Sequence, residues 1–510
     1  MKILIVHGYL LSGTGSNLYV QNLARAFCDL GNDVLLCCQD HSASDYDFVN
    51  QVVTFSNDGD VMESVWKQTK YNGSCKVYLP KIGKYLPVYV EDYYEKFEAK
   101  DVVKWGKNNI EDYIGKNVSA IRYILNEDKP DVVISNHLIL QPTCVSRAVQ
   151  GSIKHFIIVH GSAFNFSVRK SDYLKKLAIE SIKASNGIIF LTTSSEKDFL
   201  RYFREFKGEI NTEIISGGVD LNLFKPLKEE NEKMYFIENY IQNGDGKNAL
   251  DSLKNKIDWK NDNTIMYYGK YLWTKGMQYL ILTQPIVNKF HPDAKLILVG
   301  FGSAKNYMEK LIDAMNQGDE KYLIELIDNP QKYQDNVEET TLYTLKGFRK
   351  LISNDEWRKS YIGLCKGNIK NQILLLDFLP HEKLAPILSC ADIAIAPSIY
   401  PEAFGLVGIE ALASGILPIQ ADHSGFSSVI DVYQSAYESR TELKAVKRLK
   451  LSEDFVMDLL DKILIVLDAY EQSDEKWRFE LKSELRTICE ENFSWSQTAQ
   501  NIISLYQRLN

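Results

Sequence analysis

Short apolar segments alternate with amphipathic segments along nearly the whole chain of 510 residues. Each apolar segment carries large aliphatic side chains at consecutive positions, which is typical of a strand covered by helices on both faces. Strands of this kind that are separated by helices predict parallel sheets built from right-handed strand–helix–strand units. The predicted strands are 2–7, 33–38, 131–135, 155–159, 187–192 and 213–216 in a first block, and 264–268, 295–299, 373–377, 393–396 and 416–420 in a second.

Two blocks of such units predict two domains, because a single hydrophobic core does not grow to 510 residues. We place a Rossmann-like domain over 1–226, a polar and charged connection over 227–262, and a second Rossmann-like domain over 263–490. Irregular stretches at about 56–100 and 304–371 interrupt the two blocks, and we interpret them as insertions. The predicted fold class is therefore α/β, with two doubly wound domains and helical insertions.

The net charge, the cysteine spacing and the length of the apolar runs argue against several classes of protein. The formal net charge of −8 argues against a general nucleic-acid-binding protein, which would carry a basic surface. Eight cysteines without a Cys-x-x-Cys pair indicate neither a zinc site nor a redox pair, and they fit a reducing cytosol. The apolar start is interpreted as a first strand, and no apolar run approaches the roughly 18 residues of a membrane span. We expect a cytoplasmic protein, with peripheral contact to a membrane left open.

A glycine-containing turn follows the first predicted strand. Gly13 and Gly15 permit a tight turn with close approach of a ligand, where backbone N–H groups bind an anion or sugar hydroxyls. Asn17 is the predicted N-cap of the following helix, and Gly31 is its predicted terminator. A dehydrogenase is disfavoured, because Leu18 stands where the dinucleotide fingerprint needs a third glycine or an alanine.

Two lysines lie at the start of the second block. A predicted strand ends at Gly269, Lys270 follows at once, and Lys275 and Gly276 stand at the start of the next helix. Two ammonium groups near a helix N-terminus suit a diphosphate, because the helix dipole and both cations act together. Two solvated surface lysines are the alternative.

The segment ADIAIAPSIYPEAFGLVGIEALASG is the most specific motif of the chain. Glu410 lies among apolar residues of a predicted helix, and a carboxylate buried alone would cost several kcal/mol. A pair of ribose hydroxyls would satisfy it, and an internal Arg or Lys is the alternative. Glu402 lies before this helix, in the loop after a predicted strand, where open α/β sheets bind their ligands.

These motifs, taken in order, resemble the family-4 group of retaining glycosyltransferases. The stretch from Glu402 to Glu410 is similar to the signature of that group, which has the GT-B fold with two Rossmann-like domains facing across a cleft. The resemblance covers most of the chain through the segments GSNLYVQNLARAFCDLGNDV, IIVHGSAF, GGVDLNLFKP, GKYLWTKG and LVGFGS. By analogy with this fold, the amphipathic helix predicted within 491–510 crosses back to the first domain.

The resemblance implies roles for individual residues toward the donor. Lys270 and Lys275 would hold the diphosphate and stabilise it as it leaves, although the family usually has Arg at the first position, so a point charge replaces a bidentate fork. Glu410 would bind the ribose. The remaining donor-binding candidates at the two glycine-containing turns are Gly13, Gly15 and Gly269.

Further roles concern the transferred sugar and the base. Glu402 would grip sugar hydroxyls together with the backbone of Phe404, Gly405 and Leu406, and Ala403 stands where the family often has Gly.

The loop around Phe378 and Leu379 would meet the base mainly through backbone groups. His160 would lie near the donor sugar or the acceptor, with a capped strand-end histidine as the alternative. Ser428 stands where many relatives have Glu, and it receives no role.

The resulting hypothesis is a retaining, metal-independent glycosyltransferase that uses a nucleoside diphosphate sugar as co-substrate, needs no further cofactor, and acts on a glycan, lipid or small-molecule acceptor. A nucleotide-sugar 2-epimerase of related fold and a non-catalytic sugar-nucleotide or glycan-binding protein are the alternatives. Asp45-Tyr46-Asp47 matches a metal-binding DxD pattern but lacks supporting context. The aromatic stretch 86–100 is interpreted either as part of an acceptor site or as a packed surface helix.

Overall fold

The chain divides into two units, each with its own largely parallel sheet. The computed structural model describes residues 1–13, 15–56, 61–90, 94, 96–227, 232, 253, 256–333, 339–402 and 404–509. The first unit consists of Met1–Gly218 and Phe493–Asn510, and the second unit is Val219–Asn492. Most of the predicted connection 227–262 lies outside the described residues, so its course stays a prediction.

The first unit contains a sheet of nine described strands. The strand bounds are β1 Lys2–Val6, β2 Asp33–Cys37, β3 Gln51–Phe55, β4 Val61–Glu63, β5 Cys75–Leu79, β6 Tyr85–Val88, β7 Glu98–Asp101, β8 Val132–Asn136, β9 Lys154–Val159, β10 Gly187–Phe190 and β11 Thr212–Ile214. The order is β11-β10-β9-β8-β1-β2-β5-β3-β4, and β6 and β7 form a separate parallel pair. Only the β3–β4 pair among the described strands of the large sheet is antiparallel.

Helices cover the strands of this sheet. Their bounds are α1 Ser16–Asp29, α2 Lys107–Asp128, α3 Gln141–Val149, α4 Ser162–Phe166, α5 Asp172–Ala184 and α6 Thr193–Tyr202. Central strands such as β1 and β8 are apolar and buried along almost their whole length, as strands with helices on both faces must be. Gly31 lies directly after the C-cap of α1 with φ of +77°, which confirms it as the terminator.

The stretch 56–100 adds strands to this sheet, and the alternative of a packed surface helix over 86–100 is wrong. Strand β5 pairs with β2 on one side and with β3 on the other. Strands β6 and β7 lie near the two ends of 86–100, and residues 91–93 and 95 lie outside the described part. Lys76 interrupts the apolar run of β5, and Pro87 interrupts that of β6, so the continuous pattern used for prediction is missing here.

The second unit has a five-stranded parallel sheet. Its strands are β12 Asn263–Lys270, β13 Ala294–Phe301, β14 Ile373–Leu376, β15 Ile393–Ala396 and β16 Leu417–Gln420, in the order β14-β13-β12-β15-β16. The chain runs outward from β12 through β13 to β14 and then returns to the other side of β12. The order therefore reverses between β12 and β15, and open α/β sheets bind ligands outside the carboxyl ends of the strands at such a point.

Helices surround this sheet and make up most of the described part of 304–371. Their bounds are α7 Met277–Phe290, α8 Lys305–Gln317, α9 Glu320–Asp328, α10 Glu339–Thr344, α11 Lys346–Ser353, α12 Asp355–Cys365, α13 Ile369–Gln372, α14 His381–Cys390, α15 Leu406–Ala413, α16 Ser424–Glu438, α17 Phe455–Gln472 and α18 Glu475–Asn492. Every strand predicted from the sequence is present in one of the two sheets, with ends that differ by at most two residues.

The last helix, α19 Trp495–Arg508, belongs to the first unit. The ring of Trp495 packs edge-on against Tyr19 of α1 with 5.0 Å between the centroids. The hydroxyl of Thr498 donates to the carbonyl of Ser216 over 3.0 Å. These contacts attach the end of the chain to the first helix of the unit.

The described residues bear on two composition-based expectations. All eight cysteines lie within them, and each is buried with a free thiol, as small core residues are. Within the same residues, no helix combines the length and the apolar character that a membrane crossing requires.

Arg486 of α18 ties three parts of the second unit together. Its guanidinium donates to the carbonyls of Phe224, Ala413 and Leu221 over 2.6, 2.9 and 3.0 Å. A planar group with five N–H donors can satisfy three carbonyls at once, and an ammonium cannot reproduce that geometry. The side chain is only 17% exposed, so these bonds are shielded from water.

We expect Arg486→Met to lower the free energy of unfolding by about 3 kcal/mol, because it leaves three carbonyls without a charged donor. Urea denaturation followed by circular dichroism measures the change. Lys476→Met on the same helix is the matched control, because that lysine is 81% exposed. Equal stability of the two variants would show that the three bonds do not hold the unit together.

Candidate functional site

Two loops meet at the carboxyl ends of β12 and β15. After β12, a short 3-10 turn over Trp273–Lys275 leads to Gly276, which caps α7 with φ of +81°. A Cβ atom at Gly276 would lie 2.0 Å from the carbonyl oxygen of Pro397, so only glycine permits this approach. The N–H of Ile399 donates to the carbonyl of Thr274 over 2.9 Å. The turn after β12 is therefore locked against the loop after β15.

The locked loops bring Lys275 and Glu402 together. The ammonium of Lys275 forms an ion pair with Oε1 of Glu402, and the hydroxyl of Ser398 donates to the same oxygen over 2.8 Å. The two charged side chains are 31% and 21% exposed, so a ligand can reach both. Two residues that the sequence analysis assigned separately thus form one charged centre.

A chain of hydrogen bonds holds the backbone of Glu402. Its N–H donates to the hydroxyl of Ser424 over 2.8 Å, and that hydroxyl lies 3.1 Å from Nδ1 of His423. Nε2 of His423 lies 2.6 Å from the carbonyl oxygen of Ser398, which can only accept. Nε2 therefore donates to Ser398, and in the neutral ring Nδ1 is the acceptor that faces the Ser424 hydroxyl.

Sequence reasoning missed Ser398, His423 and Ser424. Small polar residues in loops are common, and their partners depend on how two distant loops fold together. One sequence signal was present. Ser424 and Gly425 follow His423 shortly after a buried strand, and such a position is typical of a helix N-terminus.

Glu410 lies on α15 and is only 6% exposed. Its Oε1 lies 3.6 Å from Nε2 of His381, the first residue of α14. Burial raises the pKa of the Glu410 carboxyl above its usual range, and the nearby His381 and Tyr268 offset part of this effect. Among the ion pairs of the described residues, none joins Glu410 to a lysine or arginine, so the alternative of an internal Arg or Lys is not supported.

The start of α15 carries three further predicted residues. Phe404 is buried, Gly405 caps the helix with φ of +119°, and Leu406 is its first residue. A Cβ atom at Gly405 would lie 2.6 Å from the ring of Phe426. Ala403 lies outside the described residues. Helix α15 therefore begins at Leu406, four residues after Glu402.

The remaining predicted residues of the second unit lie at the same sheet edge. Gly269 and Lys270 are the last residues of β12, beside Gly300 and Phe301 of β13 in the register. Phe378 follows β14 and is half exposed, whereas Leu379 is nearly buried. The structure thus places these residues along the carboxyl ends of β12, β13 and β14.

In the first unit, Gly13 and Gly15 have φ of +106° and +61°, and Gly15 caps α1. Thr14 between them lies outside the described residues. The prediction of Asn17 as N-cap is wrong, because it already lies within the helix. Its side chain instead donates to the carbonyl of Ser12 over 2.8 Å and contacts Nε2 of His7 at 3.0 Å.

His160 follows β9 and is 8% exposed. Its Nε2 lies 2.8 Å from the side-chain oxygen of Asn136, and burial with the nearby His7 lowers its pKa to about 3. His137 packs beside it, with 5.1 Å between ring centroids, and burial also lowers the pKa of His137. These imidazoles are neutral at pH 7. Sequence reasoning missed His7, Asn136 and His137, although each directly follows or ends a buried strand.

The DxD alternative has a structural explanation. Asp47 pairs with Lys70 over 3.2 Å and accepts from the hydroxyl of Tyr71 over 2.7 Å. Within the described ranges, no group of three or more His, Cys, Asp or Glu side chains is arranged to hold a metal ion. Asp47 is therefore engaged with Lys70 and Tyr71 of its own unit.

Sequence comparisons match part of the second unit to a known family. Residues 318–449 match the family described as Glycosyl transferases group 1. An uncharacterized glycosyltransferase of Methanocaldococcus jannaschii is 20% identical over 247 residues, 48% of this chain and 45% of that protein. Spore coat protein SA of Bacillus subtilis is 20% identical over 302 residues, 58% of this chain and 59% of that protein. The chain spans about half the length of the curated relatives that it matches.

Solved structures match the entire chain. Sucrose-phosphate synthase from Thermosynechococcus elongatus is 17% identical with a TM-score of 0.56, covering 100% of this chain and 98% of that one. HepE of Anabaena, in complex with UDP and glucose, is 14% identical with a TM-score of 0.57 and covers 100% of both chains. At these identities the likeness shows the fold, whereas the narrower placement in family 4 stays a prediction. The chain therefore has the GT-B fold, and its segment 318–449 is similar to the family described as Glycosyl transferases group 1.

Proposed function

We propose that the protein is a retaining, metal-independent glycosyltransferase that moves a sugar from a nucleoside diphosphate sugar to a glycan, lipid or small-molecule acceptor. The observation that carries the proposal is the charged centre of Lys275 and Glu402 at the reversal point of the second sheet. The named relatives that are glycosyltransferases support the same reaction class.

The ion pair suits a nucleotide-sugar donor, which offers phosphate oxygens to Lys275 and sugar hydroxyls to Glu402. Phosphate oxygens compete with Glu402 for the ammonium of Lys275, and Lys270 at the end of β12 adds a second cation. Once Lys275 turns to the diphosphate, the Glu402 carboxylate is released to accept from sugar hydroxyls. Binding of the donor thus replaces one internal ion pair with two contacts to the ligand.

Glu410 supplies the ribose contact in this proposal. Its carboxylate is buried, with Tyr268 as a hydrogen-bond partner and Nε2 of His381 at 3.6 Å, so its oxygens retain capacity for further hydroxyl donors. Ribose offers two adjacent hydroxyls, which can satisfy both carboxylate oxygens. The neutral His160 is assigned to the sugar or acceptor, because a neutral imidazole both donates and accepts.

In this proposal the configuration of the anomeric carbon is retained, because the acceptor hydroxyl attacks on the face from which the phosphate leaves. The leaving phosphate of the donor accepts the proton of the acceptor hydroxyl while the glycosidic bond breaks on the same face. The protein positions the reactants and stabilises the departing diphosphate with Lys270 and Lys275. No step needs a cofactor besides the nucleotide sugar. We place the reaction in the cytoplasm, with peripheral membrane contact if the acceptor is a lipid.

The donor is identified first, by thermal shift with UDP-, GDP- and ADP-sugars, and acceptors are then screened by release of the nucleoside diphosphate. Release that depends on an acceptor, with an α-linked product from an α-linked donor, supports the proposal. A changed sugar after incubation with donor alone would indicate a 2-epimerase instead. Binding without any turnover across the screen would indicate a non-catalytic binding protein.

We expect Lys275→Ala to lower kcat by on the order of a hundredfold, as the loss of one charge-stabilising donor typically does. Initial rates of diphosphate release measure the effect. Lys289→Ala is the matched control, because Lys289 is an exposed lysine of the same unit, near the end of α7. A turnover within about threefold of the parent enzyme would refute the assigned role, since one lost stabilising donor costs more than that.

We expect Glu410→Gln to weaken donor binding and to stabilise the free protein at pH 7. Because burial raises the pKa of Glu410, the folded protein disfavours the charged carboxylate. The resulting loss of stability is present at neutral pH, and it disappears as the pH falls through the raised pKa. The melting temperature should rise by roughly 2–4 °C at pH 7, and the difference should shrink as the pH approaches the ordinary Glu value of 4.5.

Calorimetric titration with the donor and thermal melts between pH 5 and 7 measure both effects. An unchanged donor Kd would count against the ribose contact, and a pH-independent melting difference would contradict the burial argument.

A further inference from the structure

Glu402 and three polar residues of the second unit close a ring of hydrogen bonds. The N–H of Glu402 donates to the hydroxyl of Ser424 over 2.8 Å, and that hydroxyl faces Nδ1 of His423 at 3.1 Å. Nε2 of His423 lies 2.6 Å from the carbonyl oxygen of Ser398. The hydroxyl of Ser398 donates to Oε1 of Glu402 over 2.8 Å. This hydrogen-bonded ring therefore starts at the backbone of Glu402 and returns to its carboxylate.

One arrangement of protons satisfies every bond of the hydrogen-bonded ring. The carbonyl of Ser398 can only accept, so Nε2 of His423 donates to it, and Nδ1 of the neutral imidazole accepts from Ser424. The hydroxyl proton of Ser398 is directed to Glu402 at 2.8 Å, and two backbone carbonyls lie farther from that hydroxyl, at 3.2 and 3.3 Å. A network in which each member is satisfied holds its groups more firmly than separate bonds do, because each bond polarises the next.

The backbone of Ser424 has a conformation that favours glycine. Its φ is +50°, in the left-handed region where a residue with a side chain is strained. Glycine at this position would relieve the strain, but it would lack the hydroxyl that accepts from the N–H of Glu402. The next residue, Gly425, donates its N–H to the carbonyl of Glu402 over 2.9 Å. The start of α16 thus holds both backbone polar groups of Glu402, one of them through a strained residue.

The hydrogen-bonded ring and the ion pair with Lys275 hold Glu402 independently. In the proposed function, the ammonium of Lys275 turns from Oε1 of Glu402 to the diphosphate of the donor. The bonds from Ser398, Ser424 and Gly425 do not pass through the lysine, so they remain when the ion pair opens. The carboxylate then still accepts from Ser398 and keeps its other lone pairs for sugar hydroxyls.

We infer that His423 and Ser424 are positioning residues, which keep the Glu402 carboxylate in place for the transferred sugar after the donor has opened the ion pair with Lys275. The inference rests on the proposed function and goes beyond it, because it assigns the hold on Glu402 to two residues outside the predicted site. Neither residue needs to touch the donor. Their loss misplaces a contact to the sugar, which slows transfer, and leaves the diphosphate contact of Lys275 intact.

Two variants of one residue separate positioning from stability. Ser424→Ala removes the hydroxyl and keeps the strained backbone, whereas Ser424→Gly removes the hydroxyl and relieves the strain. We expect both to lower kcat of sugar transfer roughly tenfold, as the loss of one orienting hydrogen bond does. The melting temperature of Ser424→Gly should nevertheless exceed that of Ser424→Ala by roughly 2 °C. Initial rates of diphosphate release and thermal melts measure the two quantities.

The Kd of the free nucleoside diphosphate should equal that of the parent in both variants, because this ligand lacks the sugar that Glu402 binds. Calorimetric titration measures it. His423→Leu, which removes the imidazole between Ser398 and Ser424, should also lower kcat roughly tenfold. Combined with Ser424→Gly, it should lower kcat no further than the larger single effect, because both changes open the same hydrogen-bonded ring. Ser435→Ala, at an exposed serine of α16, is the matched control.

A turnover of Ser424→Gly within about threefold of the parent would overturn the inference and leave the transferase proposal standing. A loss of kcat in Ser424→Ala alone would also overturn it, since the hydroxyl would then act only through stability. Weaker binding of the free nucleoside diphosphate would show a disturbed lysine turn, with the same consequence.

Failure of the proposed function gives a different result. If the parent bound the nucleotide sugar without turnover, the transferase proposal would fail. The inference would then still require Ser424→Gly to weaken binding of the nucleotide sugar more than binding of the free nucleoside diphosphate. A parent that bound neither ligand would refute both.

Discussion

The packing of Gly276 against the carbonyl of Pro397 is the constraint on which the candidate site depends. It lets the turn after β12 and the loop after β15 run side by side, and the ion pair of Lys275 and Glu402 forms only because these backbones are in contact. Any side chain at position 276 would push the loops apart and separate the two charges. The site is therefore built from backbone proximity first and from side-chain chemistry second, as expected at the reversal point of a parallel sheet.

The parts of the fold that could be predicted are those in which strands are apolar on both faces. Burial under helices on both sides requires consecutive apolar residues, and this pattern marks β1 and β8 as clearly as β12 and β15. Strand β5 escaped prediction because Lys76 lies within it, paired with Glu63 of β4 near the edge of the sheet. An edge region needs less apolar surface, so its strands carry a weaker sequence signal.

The candidate site was predictable one residue at a time but not as an arrangement. A carboxylate in an apolar helix, as at Glu410, signals a special role because its burial is costly. The ion pair of Lys275 and Glu402 joins residues 127 positions apart, and no local pattern encodes the meeting of their loops. The same holds for the hydrogen bonds from Glu402 through Ser424 to His423, which depend on the loop geometry before α16.

Two partly or fully buried charges in this chain have different explanations. Arg147 in the first unit is satisfied from within, because its guanidinium donates to Glu111 over 2.6 Å and to Glu180 over 2.7 Å. Glu410 is more deeply buried, yet its described ionic partner is a single histidine at 3.6 Å, beyond hydrogen-bond distance. A fold selected only for stability would replace such a carboxylate with an apolar side chain. In the proposed function, donor hydroxyls bond to this carboxylate in addition to Tyr268, and this gives the buried charge a role that stability alone does not.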